Sequence, residues 1–168
     1  MTSGKVLVAE KDGVHVVKFV GDVRVTVGHV IDTFLNTILK SDDFRSVVID
    51  LTETVGIDST SLGLLAKISI QTKKTYDIVP TIVSTNDDIT RILISMGFDQ
   101  VFLIITESID ESIELGELPV QNPPEHVVRE KVLEAHQVLM ELNQKNHLVF
   151  KDLVVALENE IGLAPRVT

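Results

Sequence analysis

The sequence predicts an α/β domain, with helices packed on one face of a mixed sheet, followed by a C-terminal α-helical hairpin. Three observations carry this prediction. Apolar β-branched runs alternate with segments of helical periodicity from Ala9 to Gly116, which is typical of an α/β sandwich. The run 47–51 is apolar without alternation, which indicates a strand covered on both faces. Beyond Pro119, two amphipathic segments follow one another and predict paired helices.

The elements before this central strand are predicted to be a β-hairpin and a helix. Two β-rich runs, 6–8 and 14–20, are separated by Lys11, Asp12 and Gly13, and Asp-Gly between such runs is a hairpin signal. We expect a turn at 21–24. Apolar residues at helical spacing from His29 onward predict a first helix that ends near residues 40–42.

The central strand leads through a linker, 52–57, to four residues with side-chain oxygens, Asp58, Ser59, Thr60 and Ser61. Such side chains accept hydrogen bonds from the free N–H groups that open a helix. Apolar and polar residues then mix at helical spacing over 62–74. The oxygen cluster is therefore expected near the surface, at the positive end of a helix dipole.

The remainder of the domain continues the alternation. The run 78–83 predicts a strand, in which Pro80 favours an edge or bulge position. Residues 84–88 supply caps for a helix that Gly97 is well placed to end. We expect a last strand at 101–105 and a short acidic helix at 108–115.

Composition limits the classes of partner. A net charge of −10, no Trp and one Tyr argue against nucleic acid or an anionic membrane as partner and favour proteins. The absence of cysteine excludes disulfides and thiolate sites. No apolar run has the length of a membrane span, and the N-terminus lacks a secretory pattern. We interpret the protein as cytoplasmic.

No catalytic, metal or cofactor motif is present. The histidines are scattered without metal-site spacing, and the glycine-rich nucleotide-binding motifs are missing; the histidines are His15, His29, His126, His136 and His147. Ser59 does not lie in a Gly-x-Ser-x-Gly elbow, and no spacing nominates a histidine as its base. We therefore expect no cofactor and no enzymatic activity.

A hydrophobic strand, a short loop, Asp58-Ser59-Thr60 and then Leu62-Gly63-Leu64 together resemble a STAS domain of the anti-sigma-factor antagonist type, over about residues 5–115. The resemblance implies that Ser59, directly after the aspartate, is phosphorylated by a partner kinase. Thr60 takes the second hydroxyl position. Ser61 replaces the family's usual glycine and adds a third candidate acceptor. Plain helix capping remains the alternative for this cluster.

The resemblance also implies partners. The unphosphorylated form would bind an anti-sigma factor or switch-protein serine kinase and free a sigma factor; phosphorylation would abolish binding, and a PP2C-type phosphatase would restore it. The implied partner-binding residues are Asp58, Ser59, Thr60, Asp22, Arg24 and Leu62. In many relatives the turn after the second strand reads Gly-Glu-Leu-Asp, whereas here Asp22 replaces the Glu and Arg24 stands at the second acid. Leu62 is expected either in the docking surface or in the core.

Two other functions stay open: a scaffold STAS protein of a signalling assembly, and a STAS subunit of a transport system. The resemblance does not cover the C-terminal region. We divide the chain into a STAS domain at 1–118, a proline-containing linker at 119–124 and the hairpin extension at 125–168, with helices at 125–143 and 148–161 and a turn at 143–147. The apolar stripe of the hairpin is buried either by packing back onto the domain or in a homodimer or partner-binding surface.

Overall fold

The computed structural model describes residues 4–108, 114–119 and 122–162. Six strands form a sheet of order β5-β4-β3-β2-β1-β6. Strand β1 runs antiparallel to β2 and β6, and the pairs β2–β3, β3–β4 and β4–β5 are parallel. The predicted mixed sheet is therefore confirmed. The strands are β1 (Lys5–Lys11), β2 (Val14–Val23), β3 (Ser46–Ile57), β4 (Thr81–Val83), β5 (Leu103–Ile105) and β6 (Gly116–Leu118).

Five α-helices accompany the sheet in the described residues: α1 (Val25–Ile38), α2 (Ser59–Tyr76), α3 (Asp87–Ser95), α4 (Glu125–Leu142) and α5 (Gln144–Ile161). One apolar core joins the central strands to the helices, and Phe19 of β2, Ile49 of β3 and Leu65 of α2 are all buried in it. Burial of such side chains is the main stabilising contribution to the fold.

The β1–β2 hairpin is confirmed. Asp12 and Gly13 have φ angles of 53° and 85°, as the two central residues of a type I′ hairpin turn require. Gly13 also lies against the Asp43 carbonyl oxygen, where a Cβ would come closer than 3.0 Å. Turn geometry and close packing both select glycine here.

Two predicted boundaries near the central strand are wrong. Strand β2 continues through 21–23 instead of turning, and β3 continues through the predicted linker at 52–57. The reason is tertiary, because the parallel ladder between β2 and β3 extends to the pair Val23 and Ile57, with a register shift after Gly21. Helix α1 consequently starts at Val25, earlier than His29.

The distal part of the sheet also differs from expectation. Strand β4 lies between β3 and β5, so it is not an edge strand, and Pro80 precedes it instead of interrupting it. Residues 101–102 lie outside β5, and the last strand is β6, which the sequence did not predict. Most of the predicted acidic helix at 108–115 falls on 109–113, outside the described residues.

The C-terminal hairpin is present, and it packs back onto the domain. Helix α4 lies against α2, and the side chains of Leu139 and Phe150 join the domain's core. The turn predicted at 143–147 is wrong. Asn143 alone separates the helices, because its side chain accepts a hydrogen bond from the Asn146 N–H at 2.8 Å and so caps α5.

Candidate functional site at the start of helix α2

The ends of two parallel strands position the candidate site. The Asp58 N–H, directly after β3, donates to the Val23 carbonyl at the end of β2 over 3.2 Å. Asp58 is the N-cap of α2, and its Oδ1 accepts from the Ser61 N–H at 2.7 Å. The capping role expected of this aspartate is thus observed, and it fixes Ser59 as the first residue of the helix.

The three hydroxyl residues of the first turn differ in exposure. Thr60 is 7% exposed and Ser61 is 2% exposed, whereas Ser59 is half-buried. No acidic residue occupies this turn, so the helix dipole presents its positive end to the Ser59 hydroxyl. Ser59 is therefore the most accessible acceptor of the three.

Ser59 is hydrogen-bonded to a histidine of the C-terminal hairpin. The Ser59 Oγ and the His136 Nε2 are 2.8 Å apart, and His136 is only 3% exposed. The Phe150 ring of α5 packs against the imidazole edge-to-face, with centroids 5.3 Å apart. Sequence reasoning missed this pairing because 77 residues separate the partners and no motif links them.

The second ring nitrogen of His136 defines the direction of this hydrogen bond. Its Nδ1 lies 2.7 Å from the Val132 carbonyl oxygen, which only accepts hydrogen bonds. Nδ1 therefore carries a proton, and in the neutral ring Nε2 accepts the hydrogen of the Ser59 hydroxyl. The His136 imidazole therefore holds the Ser59 hydroxyl hydrogen, and α4 covers the hydroxyl on that side.

The predicted residues of the β2 turn lie beside the same sheet end. Arg24 Nε donates to Asp22 Oδ2 at 2.9 Å, with the Arg24 guanidinium exposed. The Asp22 carboxylate also lies close to Gly56, where a Cβ would be 2.9 Å from Oδ1. Arg24 thus offsets the charge of Asp22, a pairing that the sequence analysis did not predict.

Two hydrophobic residues near the site have opposite environments. Leu62 is buried with Leu65 in the core, so of its two expected positions the structure places it in the core. Val55, near the end of β3, is 73% exposed. A single valine in the predicted linker 52–57 gives no sequence signal for such exposure, and Val55 was not predicted as a site residue.

An ion cluster joins the hairpin to the domain about two turns further along α2. Lys67 of α2 donates to Asp32 of α1 at 3.0 Å and to Glu134 of α4, and Lys131 of α4 donates to Asp32. Burial, the largest influence, would raise the pKa of Asp32, but the two lysines outweigh it and hold the pKa below its usual value. Burial likewise opposes the charge of Lys67, whose pKa is raised by Glu134 and Asp32.

Comparison with known proteins places this architecture. The family model described as the STAS domain matches residues 5–113. Three solved structures share the fold, and each match covers 62% of this chain. The anti-sigma factor antagonist SpoIIAA in its unphosphorylated form is 10% identical with a TM-score of 0.52, and 89% of that chain is covered. An anti-sigma factor antagonist from Mycobacterium paratuberculosis is 23% identical with a TM-score of 0.50 and 87% covered, and a putative anti-sigma factor antagonist from Thermotoga maritima is 21% identical with a TM-score of 0.51 and 88% covered.

The sequence comparison with curated proteins gave no match. No helix among the described residues is long and apolar enough to cross a membrane. The matched region contains the five strands β1–β5 and the helices α1–α3. It includes Asp58 and Ser59, but not His136 of α4. Because the family model spans more than half of the sequence, the chain belongs to the STAS domain family.

Proposed function

We propose that the protein is a phosphorylation-controlled anti-sigma-factor antagonist, with Ser59 as the acceptor. The unmodified form binds an anti-sigma factor that is also a serine kinase, and so releases a sigma factor. Phosphorylation abolishes binding, and a PP2C-type phosphatase reverses it. One observation supports this most directly: in a STAS domain, the Asp58 cap sets Ser59 at the first position of α2 as the most accessible hydroxyl of its turn.

The chemistry of the switch is a phosphoryl transfer. The kinase moves the γ-phosphoryl group of ATP to Ser59 Oγ, so that an O–P bond forms, the hydroxyl proton leaves to a base of the kinase and ADP departs. The phosphatase returns the hydroxyl by adding water across that bond. The new group carries about −1.5 to −2 charges, and the N-terminus of α2 accommodates an anion. The fold should survive the modification.

The partner would lose affinity because the surface changes. A phosphate beside the Asp58 carboxylate, on a chain of net charge −10, repels an interface that had closed over a neutral hydroxyl. A loss of ~3 kcal/mol at an interface core weakens binding more than a hundredfold. We assign Asp22, Arg24 and Val55 to the rim of the same surface, since all three lie at the β2–β3 end of the sheet.

The direct test is capture of partners from cells that make the protein. Wild type, Ser59→Ala and Ser59→Asp serve as bait, with Thr85→Asp as the matched control, because Thr85 is exposed and lies outside the site. We expect an anti-sigma factor or serine kinase on every bait except Ser59→Asp, together with a phosphopeptide that contains Ser59 in the wild type. If all four baits capture the same partners equally, Asp58 and Ser59 serve only to cap the helix and the proposed switch is wrong.

A scaffold role is the second candidate, and one surface favours it. The outer face of α5 exposes four large apolar side chains, Leu148, Val149, Leu153 and Val155. Its charges are self-complementary in an antiparallel pair, because Lys145 lies near its start, Glu160 near its end, and Lys151 and Asp152 near the middle. The occupant that fits this face is the α5 of a second copy, which gives a two-fold homodimer.

Sedimentation over a range of concentrations tests the homodimer. We expect a monomer–dimer equilibrium for the wild type, and a monomer for Val149→Glu, which puts a charge in the middle of the apolar face. Thr85→Asp is again the control and should dimerise like the wild type. A wild-type monomer at every concentration removes this candidate and does not affect the role of Ser59.

A further inference from the structure

Helix α4 lies across the surface that the proposed function assigns to the partner. It brings His136 to 2.8 Å from the Ser59 hydroxyl and keeps that imidazole buried. We infer that the hairpin α4–α5 is an intramolecular cap, which occupies the kinase- and partner-binding surface around Ser59 and leaves it before Ser59 reacts. The nature of the competitor rests on the proposed function, whereas the cap itself rests on the contacts of this chain.

The closed state is unsuited to phosphoryl transfer. A kinase needs the acceptor oxygen in line with the γ-phosphorus and needs the hydroxyl proton directed at its own base. Here the proton is directed at His136 Nε2, and the base is fixed in place by its Nδ1–H bond to the Val132 carbonyl. The competing acceptor belongs to α4, so removal of the helix frees the hydroxyl.

The contact between α2 and α4 is made by backbone. A Cβ at Gly63 would lie under 3.0 Å from the carbonyl oxygen and the Cβ of Ala135. Gly63 is one turn from Ser59 on α2, and Ala135 precedes His136 on α4. Any larger side chain at either position therefore prevents α4 from reaching the place where it covers Ser59.

The charged contacts between the domain and the hairpin are arranged so that the hairpin can leave without any charged side chain losing all of its partners. Asp32 and Lys67 stay on the domain and pair with each other at 3.0 Å. Lys131 and Glu134 leave together on α4, where they already face each other at 3.9 Å, three residues apart. A buried charge left without a partner is the main penalty for breaking such a cluster, and release of the hairpin avoids it.

The junction of α4 and α5 is held to the domain by hydrogen bonds that water can replace when the hairpin leaves. Asn146 Nδ2 donates to the Met96 carbonyl at 2.8 Å, and Lys145 Nζ donates to the Ser95 carbonyl at 3.4 Å. These are free carbonyls at the C-terminal end of α3, which solvent satisfies in an isolated helix. The apolar contacts of Leu139 and Phe150 favour closure, so the closed form is the resting state.

Thiol labelling measures the cap without any partner protein. The chain has no cysteine, so Ser59→Cys supplies its sole thiol, and the exposed Thr85→Cys is the reference. A thiol at the start of a helix and beside a histidine ionises more readily, so each labelling rate is measured over a range of pH and compared for the fully ionised thiol. On that basis we expect iodoacetamide to label the Ser59→Cys chain at least about tenfold more slowly than the Thr85→Cys chain, because α4 covers position 59 until the hairpin opens locally. Equal labelling rates in the two chains overturn the inference.

Two substitutions open the cap from opposite sides. In the Ser59→Cys chain, Gly63→Ala acts from α2 and Ala135→Arg acts from α4, and each should raise the labelling rate about tenfold. The Thr85→Cys chain with the same substitutions should show no change in its labelling rate, because Thr85 is exposed in either state. Tyr76 fluorescence verifies separately that the domain stays folded. An unchanged labelling rate at position 59 in both opened chains overturns the cap.

The partner assay separates failure of the cap from failure of the proposed function. With the native Ser59, Ala135→Arg should increase both capture of the anti-sigma factor or kinase and phosphorylation of Ser59. If thiol labelling is faster in the opened chains but no partner is captured and no Ser59 phosphopeptide is found, the cap is supported and the proposed function is wrong. If wild type and Ala135→Arg capture the same partner equally and the labelling rate is unchanged, the proposed function is supported and the cap is wrong.

Discussion

At the first turn of α2, neighbouring hydroxyl residues have different chemistry because the backbone points them in different directions. Thr60 and Ser61 face the core, and the Ser61 hydroxyl is 3.5 Å from the Val23 carbonyl. Ser59 faces α4 and the half-exposed rim. One carboxylate, Asp58, fixes this arrangement by ending β3 and capping α2 at the same time.

The Asp58 cap gives the first prediction at the scale of single residues. Asp58→Ala removes the acceptor of the Ser61 N–H and should lower the free energy of unfolding by about 1 kcal/mol. Asp58→Asn keeps a side-chain oxygen at the same place and should change it little. Urea unfolding of the three chains measures the difference, and equal losses in both variants would contradict the capping role.

The ion cluster gives a second prediction. Asp32→Asn leaves Lys67 and Lys131 without their shared carboxylate and should destabilise the protein by about 1–3 kcal/mol, less than a fully buried pair because both ammonium groups retain some water. Asp88→Asn is the control, since Asp88 pairs with Arg91 in full exposure and such pairs contribute little. A loss for Asp32→Asn no larger than for the control would contradict the prediction.

The pH dependence of the Asp32 contribution has a definite sign. The folded-state pKa of Asp32 lies below its ordinary value of 3.8, so the folded state binds fewer protons than the unfolded state near that pH. Its stabilising contribution is therefore complete above the ordinary pKa and is lost as the pH falls through the folded-state pKa. The difference between wild type and Asp32→Asn should be constant near neutral pH and shrink below pH 3.8.

At the scale of elements, the hairpin is asymmetric. One face of α4 and α5 supplies Leu139 and Phe150 to the core of the domain, whereas the outer face of α5 exposes Leu148 and Val149. The same amphipathic pattern in the sequence therefore corresponds to two surfaces with different partners. The first is satisfied within the chain, and the second is the one that we assign to a second copy.

A pair of matched leucines tests this asymmetry. Leu139→Ala removes a fully buried side chain and should cost about 2–4 kcal/mol in the free energy of unfolding, because a cavity remains. Leu148→Ala changes an exposed position of the same hairpin and should lie within about 0.5 kcal/mol of the wild type. Chemical denaturation at a concentration where the chain is monomeric measures both. Similar losses would show that the hairpin is docked differently.

Local chemistry made several elements predictable from the sequence. Asp12-Gly13 specifies its turn through positive φ angles, Gly97 has a φ of 84° after α3, and Asp58 caps α2 as its position indicated. These features depend on residues close in sequence. The candidate acceptor was found for the same reason, since the Asp58-Ser59-Thr60 signal is contiguous.

The missed features depend on residues that are distant in sequence. Strand β3 extends over 52–57 only because β2 pairs with it, and β6 is three residues long and forms by pairing with β1. The contact between His136 and Ser59 requires α4 to fold back across α2, and the sequence left that arrangement open. Tertiary packing overrides local preference in each of these cases.

At the scale of the whole molecule, the hairpin and the STAS domain share one core in the closed state. Leu139 and Phe150 lie in the same cluster as Ile49 and Leu65, and the backbone contact at Gly63 leaves no gap between the helices. A shared core makes unfolding cooperative. The wild-type chain should therefore unfold as a single unit, although residues 5–113 alone match the family.

Two spectroscopic probes test this cooperativity. Tyr76 is the only tyrosine and there is no tryptophan, so its fluorescence reports on the domain, where its ring packs 4.7 Å from that of Phe44 and its hydroxyl donates to the Leu39 carbonyl. Far-UV circular dichroism reports on all helices, including α4 and α5. In urea the two transitions should coincide for the wild type. In the Gly63→Ala variant the ellipticity should begin to fall at a lower urea concentration than the fluorescence, because the hairpin is released while the domain remains folded. Separate transitions in the wild type would contradict the shared core.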